Sequence, residues 1–428
     1  MNALESLVYN ILKSNPEFKR KLRNIYQDTL DILYNGKNES SYNIEVREGF
    51  YFGFHDKSPW SPDNTLLLSN QIAIPLRMPQ KNDEITIGYF QGSNFKEFIP
   101  IYKTRAFNYQ QGCMLQWVSQ QNNFIFNDFD GVKHISKVYS KAGELLNVYD
   151  IPVGSLSSDG NWAVGHCFER VNFYYPGYGY ANGTDPELLS KKPINHGISS
   201  LNLQTGKIQM IFSVKDIANF QPDYYELKEA NHFLTHCLFS PSSKRFVFFH
   251  RWIKDNNILF TRMISSDING NNLYVFPTDG MVSHVGWYDE DHVLAYCRVG
   301  GKDRYVLFKD GEGALEIIGE ESFNSDGHPS FSPNKKWLLT DTYPDRYRNS
   351  YLALYDLNQK KRYNIAKLRQ NKQFSSPDFF SNWQADFHPR WDRTGQKVSF
   401  DSSHTGIRSL CTIDLGISFL NNDGIKTI

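Results

Sequence analysis

Seven times along this chain a serine opening a Ser-Pro or similar small-residue turn, or a tryptophan in its place, stands just ahead of a short β-rich run. The fullest copy is Asp326-Gly327-His328-Pro329-Ser330-Phe331-Ser332-Pro333-Asn334, which leads into the apolar run Lys336-Trp337-Leu338-Leu339-Thr340. The landmark recurs at Ser61, Trp117, Ser157, Ser240, Trp287, Ser332 and Trp391. After it come Thr65-Leu66-Leu67-Leu68, Phe124-Ile125-Phe126, Trp162-Ala163-Val164, Phe246-Val247-Phe248-Phe249, Val293-Leu294-Ala295-Tyr296, Trp337-Leu338-Leu339 and Val398-Ser399-Phe400. A repeat of such length decides the architecture before any single motif does. Short β-branched and aromatic runs bounded by Gly, Pro, Asn and Asp, with room for several strands per unit, predict an all-β chain built as a seven-bladed β-propeller of four-stranded blades.

Seven blades use nearly all of the 428 residues. Lys plus Arg and Asp plus Glu both number 46, so the chain lacks the basic excess of a nucleic-acid binder. Five cysteines, an odd count without paired spacing, suit a reducing compartment better than a disulfide framework. Met1-Asn2-Ala3-Leu4-Glu5-Ser6 lacks the basic start of a leader, and no run approaches the length of a membrane span, so the expectation is a cytoplasmic protein.

Residues 1–40 read as a helical extension and 41–428 as the propeller. Leu4, Leu7, Val8, Ile11 and Leu12 fall at helical spacing, and a second stripe, Phe18, Leu22, Ile25, Leu30 and Leu33, follows Asn15-Pro16-Glu17 and ends at Asn35-Gly36. Such stripes pack on the propeller, on a protein partner or on a second copy. The early strand Tyr42-Asn43-Ile44-Glu45-Val46 is expected to close the ring against the last blade, protecting its edges. Blade three is interrupted from Cys167 to about Ser200 by a segment rich in aromatics, including Tyr174, Tyr175 and Tyr178. Those rings can stack on sugar or pack as a lid. Leu201-Asn202-Leu203-Gln204-Thr205-Gly206-Lys207 then reads as an outer strand and its turn.

The chemistry is concentrated in four histidines. His236, His284, His328 and His388 lie three or four residues before the landmark in blades four to seven, and equivalent positions of a propeller converge at one mouth of the channel. Asp326, Gln384 and Asp386 are near them, with His55 and Lys57 in blade one. Imidazoles and a carboxylate or amide from different strands suit a divalent transition metal such as Mn, Zn or Fe, although a repeat can also keep a histidine for packing. Blades two and three lack an aligned histidine, so the fold does not demand one. No Gly-x-Ser-x-Gly elbow, phosphate-cradling glycine loop or Cys-x-x-Cys pair occurs.

At these residues the chain resembles the oligogalacturonate lyases, seven-bladed propellers of the polysaccharide lyase class, and more loosely the TolB-type propellers. Ser283-His284-Val285-Gly286-Trp287 is similar to the family's first ligand segment, and Phe387-His388-Pro389-Arg390-Trp391 to the end of its Gln-x-x-His-x-His segment. The resemblance implies a manganese ion held by His284 and His388, with Asp386 where the family has a histidine and Gln384 in place of its glutamine; His328, in register with them, is the candidate fourth ligand. It matches His236 to a further active-site histidine. The family's catalytic arginine is missing from Asn195-His196-Gly197-Ile198-Ser199-Ser200, which leaves His196, His250 or Arg251 to replace it. The implied activity is β-elimination in a uronic-acid-containing glycan. His236, His250 and Arg251 would do the chemistry, and His55, Lys57, Tyr174, Tyr175, Tyr178 and Arg390 would hold the sugar. Two alternatives stand beside it. One is a propeller that binds glycan or protein without turnover; the other is a glycan hydrolase using Asp326 and Asp386 as acid and base.

Overall fold

The computed structural model describes residues 16–31, 34, 36–118, 122–222, 229–254, 258–378, 380–416, 419 and 425–428. Their strands form seven antiparallel sheets, six of four strands and one of five, which are the blades of a β-propeller. Blades one to six span 50–104, 116–149, 155–213, 231–275, 282–318 and 330–369, and blade seven takes 390–414 together with Ile44–Glu48.

The repeated landmark has two physical forms. Where it is serine, the hydroxyl ties the turn between the first and second strands: Ser61 Oγ donates to Asp63 at 2.6 Å and accepts from the Leu66 N–H at 2.9 Å. Ser332 does the same with Asn334 and Trp337, at 2.7 and 3.0 Å. Where it is tryptophan, the indole reaches the preceding blade, Trp117 donating to the Pro59 carbonyl at 2.8 Å, Trp287 to Leu238 at 3.2 Å and Trp391 to Ser330 at 3.1 Å. The two residue types are thus alternative fastenings, one within a blade and one between blades. Replacing Trp391 with Phe removes one buried bond and is expected to lower unfolding free energy by about 1 kcal/mol, read from denaturant titration.

Closure occurs where the sequence places it, two residues further on: Ile44–Glu48 pairs antiparallel with Ser409–Asp414 as the outermost strand of blade seven. The two-residue strand Glu39–Ser40 adds a fifth strand to blade six, too short to leave a periodicity in sequence. Leu201 and Asn202 end the third strand of blade three, Gly197–Asn202, and the outer strand Ile208–Ser213 follows the turn. Apolar faces of successive blades fill the spaces between them, as where Phe249 and Met263 of blade four meet Val285, Trp287 and Val293 of blade five. All five cysteines are free, four of them buried.

Among the described residues three α-helices accompany the strands: α1 (Pro16–Asp31), α2 (Phe168–Tyr174) and α3 (Val214–Asn219). The helix expected over 4–12, and the residues Leu33 and Asn35, lie outside the described residues. In α1 the apolar stripe does not pack on the propeller. Phe18, Leu22 and Ile25 are 50%, 42% and 63% exposed. The surface beneath offers carbonyls and guanidiniums, so α1 turns its polar side inward: Asn24 and Gln27 donate to the carbonyls of Ser376 and Asp345, at 3.2 and 2.7 Å. None of the helices among the described residues is long and apolar enough to cross a membrane.

Candidate functional site

The histidines reach the channel through irregular backbone. The first strand of blade four bulges between Thr235 and Leu238, and that of blade five between Val282 and His284. A bulge re-aims a side chain. His236 and His388 have φ of +58° and +44°, a left-handed backbone that costs about 1–3 kcal/mol at a non-glycine residue and clusters at functional sites. The result is close convergence: the rings of His284 and His328 are 4.1 Å apart and those of His328 and His388 4.3 Å.

At the centre of this group stands Phe54, with ring centroids 5.1 Å from His236, 5.8 Å from His284, 6.0 Å from His328 and 5.0 Å from His388. Gly53 sends it there. Its φ is +114°, and a Cβ would stand 2.8 Å from the Gln111 backbone, so only glycine fits the turn. Asp401 accepts from the Phe52 and Gly53 N–H groups at 3.1 and 2.9 Å and pairs with Arg390 at 3.1 Å. Arg390 also donates to the Gly53 carbonyl, so it braces this turn from within the core. His55 bonds the Pro329 carbonyl through Nδ1, at 2.9 Å. Its ring centroid is 5.5 Å from His328 and 5.8 Å from His284, and with Lys57, which is paired to Asp56 at 2.7 Å, it lines a cavity of about 570 Å³ among the landmark residues Trp117, Ser157, Ser240 and Trp287.

His328 is the best oriented of the imidazoles. Asp341 accepts from its Nδ1 at 2.8 Å and from its backbone N–H at 2.7 Å, which assigns the proton to Nδ1 and leaves the Nε2 lone pair free. The Nε2 atoms of His328 and His388 are buried and without hydrogen-bond partners. One donor atom each from His328, Asp386 and His388 lies within 4.8 Å of the others. Burial holds both imidazoles well below their ordinary pKa, in the neutral form that coordinates metal. Burial also raises Asp341 and Asp386 to about 6, Asp386 with a further contribution from Asp341. Orphaned imidazole nitrogens and crowded buried carboxylates are both relieved by a cation, so these residues fit a divalent metal. Gln384 donates to Asp386 at 3.2 Å and so orients it. His284 is bonded through Nδ1 to Asp326 at 3.0 Å and adjoins this three-donor group without being part of it.

The other side of the mouth is cationic and aromatic. Arg251, only 3% exposed, lies with its guanidinium 4.6 Å from the Tyr175 ring and 5.2 Å from Phe249, and its Nε and Nη1 have no hydrogen-bond partner. Tyr178 stacks on Tyr175 at 4.7 Å and its ring is 5.2 Å from His236. His236 Nδ1 is 3.0 Å from the Thr235 hydroxyl, and burial, then Arg251, keeps the ring neutral. Tyr174 instead bonds the Leu188 carbonyl at 3.0 Å, within the packing of its own segment. His250 has both ring nitrogens occupied, by His232 at 2.9 Å and Arg262 at 3.0 Å, on the opposite side of the strand from Arg251. His196 pairs with Asp185 at 2.6 Å. Of the three replacements for the missing arginine, Arg251 is the one with unused donors at the mouth.

The class defined by this architecture is the seven-bladed β-propeller. No family model and no curated protein matches the sequence. Among solved structures, an oligogalacturonate lyase in complex with manganese covers 90% of this chain and 99% of its own, at TM-score 0.61 and 13% identity. The oligogalacturonate lyase from Vibrio parahaemolyticus covers 90% and 100%, at TM-score 0.56 and 11% identity. TolB from Acinetobacter baumannii covers 71% and 64%, at TM-score 0.39 and 13% identity. At these identities the likeness is one of fold.

Proposed function

We propose that this protein is a metal-assisted lyase that cleaves a uronic-acid-containing glycan by β-elimination, with His328, Asp386 and His388 as metal ligands and His284 beside them. The observation that carries the reading is the pair of buried, partnerless Nε2 atoms set against a carboxylate, with a buried guanidinium, unpaired at two nitrogens, across the same mouth. Manganese is the first ion to test, being the one named with the oligogalacturonate lyase of the same fold. When bound, the ion would draw electron density from the uronate carboxylate and acidify the neighbouring C–H.

The chain's own residues supply the rest. Arg251 meets the substrate carboxylate or ring oxygens with its two unused donors, since a guanidinium suits planar bidentate recognition. His236, held neutral, accepts the proton at Nε2 while Thr235 fixes the other nitrogen. Tyr175 and Tyr178, stacked on each other, back Arg251 and His236 at this side of the mouth. The base assignment differs from the pattern the family resemblance implies, because that arginine position is filled by Asn195 to Ser200. This departure is what favours the second reading, a propeller that binds an acidic glycan without cleaving it.

Two measurements separate them. Elemental analysis after dialysis should find roughly one equivalent of transition metal. Incubation with oligogalacturonate and other uronate glycans should then generate the ultraviolet absorbance of an unsaturated sugar. Metal and glycan binding without that absorbance would establish the binding propeller; absence of metal, glycan binding and product together would defeat both.

A further inference from the structure

We propose that Arg348, Arg369 and Lys372 form an anion subsite for the carboxylates of an acidic glycan beside the mouth, and that helix α1 fills this subsite with its own Asp28 and Asp31. The inference rests on the reading of the mouth as a uronate site. Arg348 is buried, donating through Nη2 to Asp28 at 2.6 Å and through Nη1 to Asp31. Arg369 reaches Asp31 at 2.6 Å, and Lys372 reaches Asp28 at 3.0 Å. A cavity of about 460 Å³ adjoins these three cations and is lined also by Asn371 and His404.

Two loops connect the subsite to the histidine centre. One starts at Asp341, which orients His328, and passes Tyr343, whose ring is 5.7 Å from that of His328, before Asp345 and Arg348. The other carries Lys372, Ser376 and Asp378 and leads to Gln384 and Asp386. Helix α1 bridges both, its Arg20 donating to the Asp378 carbonyl and Asn24 to that of Ser376, and Asp386 is among the charges acting on its Arg23. The helix therefore rests on both of the loops that join the subsite to the residues around the metal ligands.

Its attachment is suited to reversal. Every docking contact named is an ion pair or a hydrogen bond, while Leu22 and Ile25 are exposed. Ion pairs of this kind weaken with salt, and a polyuronate carries a carboxylate on each sugar that can take the place of Asp28 and Asp31. While the helix occupies the subsite, apparent affinity for glycan is reduced by the fraction of molecules in that state.

The test uses full-length protein, with binding of trigalacturonate measured by calorimetry and protection of the α1 peptide by hydrogen exchange. Trigalacturonate, but not neutral maltotriose, is expected to speed exchange in α1. Asp28→Asn/Asp31→Asn is expected to bind trigalacturonate roughly tenfold more tightly, and Arg369→Gln/Lys372→Gln less tightly with unchanged metal content. If trigalacturonate binds with α1 protection unchanged and the Asn variant no tighter, the subsite is overturned while the lyase reading stands. If it does not bind at all, both fall.

Discussion

Replacing His328 and His388 together with alanine is expected to lower affinity for manganese by more than about a hundredfold and to abolish β-elimination. Loss of an outer residue that merely orients a ligand already costs roughly 10- to 100-fold in affinity. The double variant removes two of the three converging donors themselves. Asp341→Asn provides the graded comparison, because it keeps both imidazoles but changes the acceptor that fixes the His328 tautomer. It should fall in that 10- to 100-fold range. Calorimetric titration with manganese, and elemental analysis after dialysis, read both; circular dichroism verifies that the blades persist. Unaltered metal content in the double variant would end the assignment of this centre.

Arg251→Met is expected to lose activity by about 10² to 10³, the range seen when a preorganised donor to developing charge is removed. The same change should make the protein more stable. A buried charge whose Nε and Nη1 lack partners bears a desolvation cost that an apolar side chain of similar length avoids, and such replacements can gain about 1–4 kcal/mol. Opposite signs in turnover and thermal midpoint identify a residue retained for function against the interest of the fold. If the variant were inactive and also less stable, Arg251 would be a packing residue held by its contacts with Tyr175 and Phe249. Lysine at the same position keeps the charge without the planar fork, so it should recover only part of the activity.

The blade count was legible because both fastenings, the serine turn and the tryptophan tie, recur with the repeat and need no knowledge of distant contacts. The ring of histidines was legible for the same reason, since residues at one register position of successive blades must meet. The division of labour among them was not. His284 and His328 read alike in sequence, and each is bonded through Nδ1, to Asp326 and Asp341, but only His328 brings a donor atom into the group with Asp386 and His388. Asp341 could have been suspected, as an acid terminating the apolar run from Trp337 to Thr340. Phe54 could not, because its position depends on a glycine turn fitted against Gln111 in the connection to the next blade. For α1 periodicity tells which residues share a face and is silent on which face the propeller surface will accept.

The strand that closes the ring couples the two ends of the propeller in time as well as in space. Ile44–Glu48 is synthesised before blade one but finds its partner, Ser409–Asp414, only after all seven blades have been made. Among the described residues its docking spans the longest loop of any strand pair, and folding steps that close such loops are slow. Until it happens, Ser409–Asp414 presents an open edge able to pair with another chain. Of all the blades, the seventh, which holds two of the three proposed metal ligands just ahead of its first strand, is the one that a translation pause or a truncated product would leave unfinished.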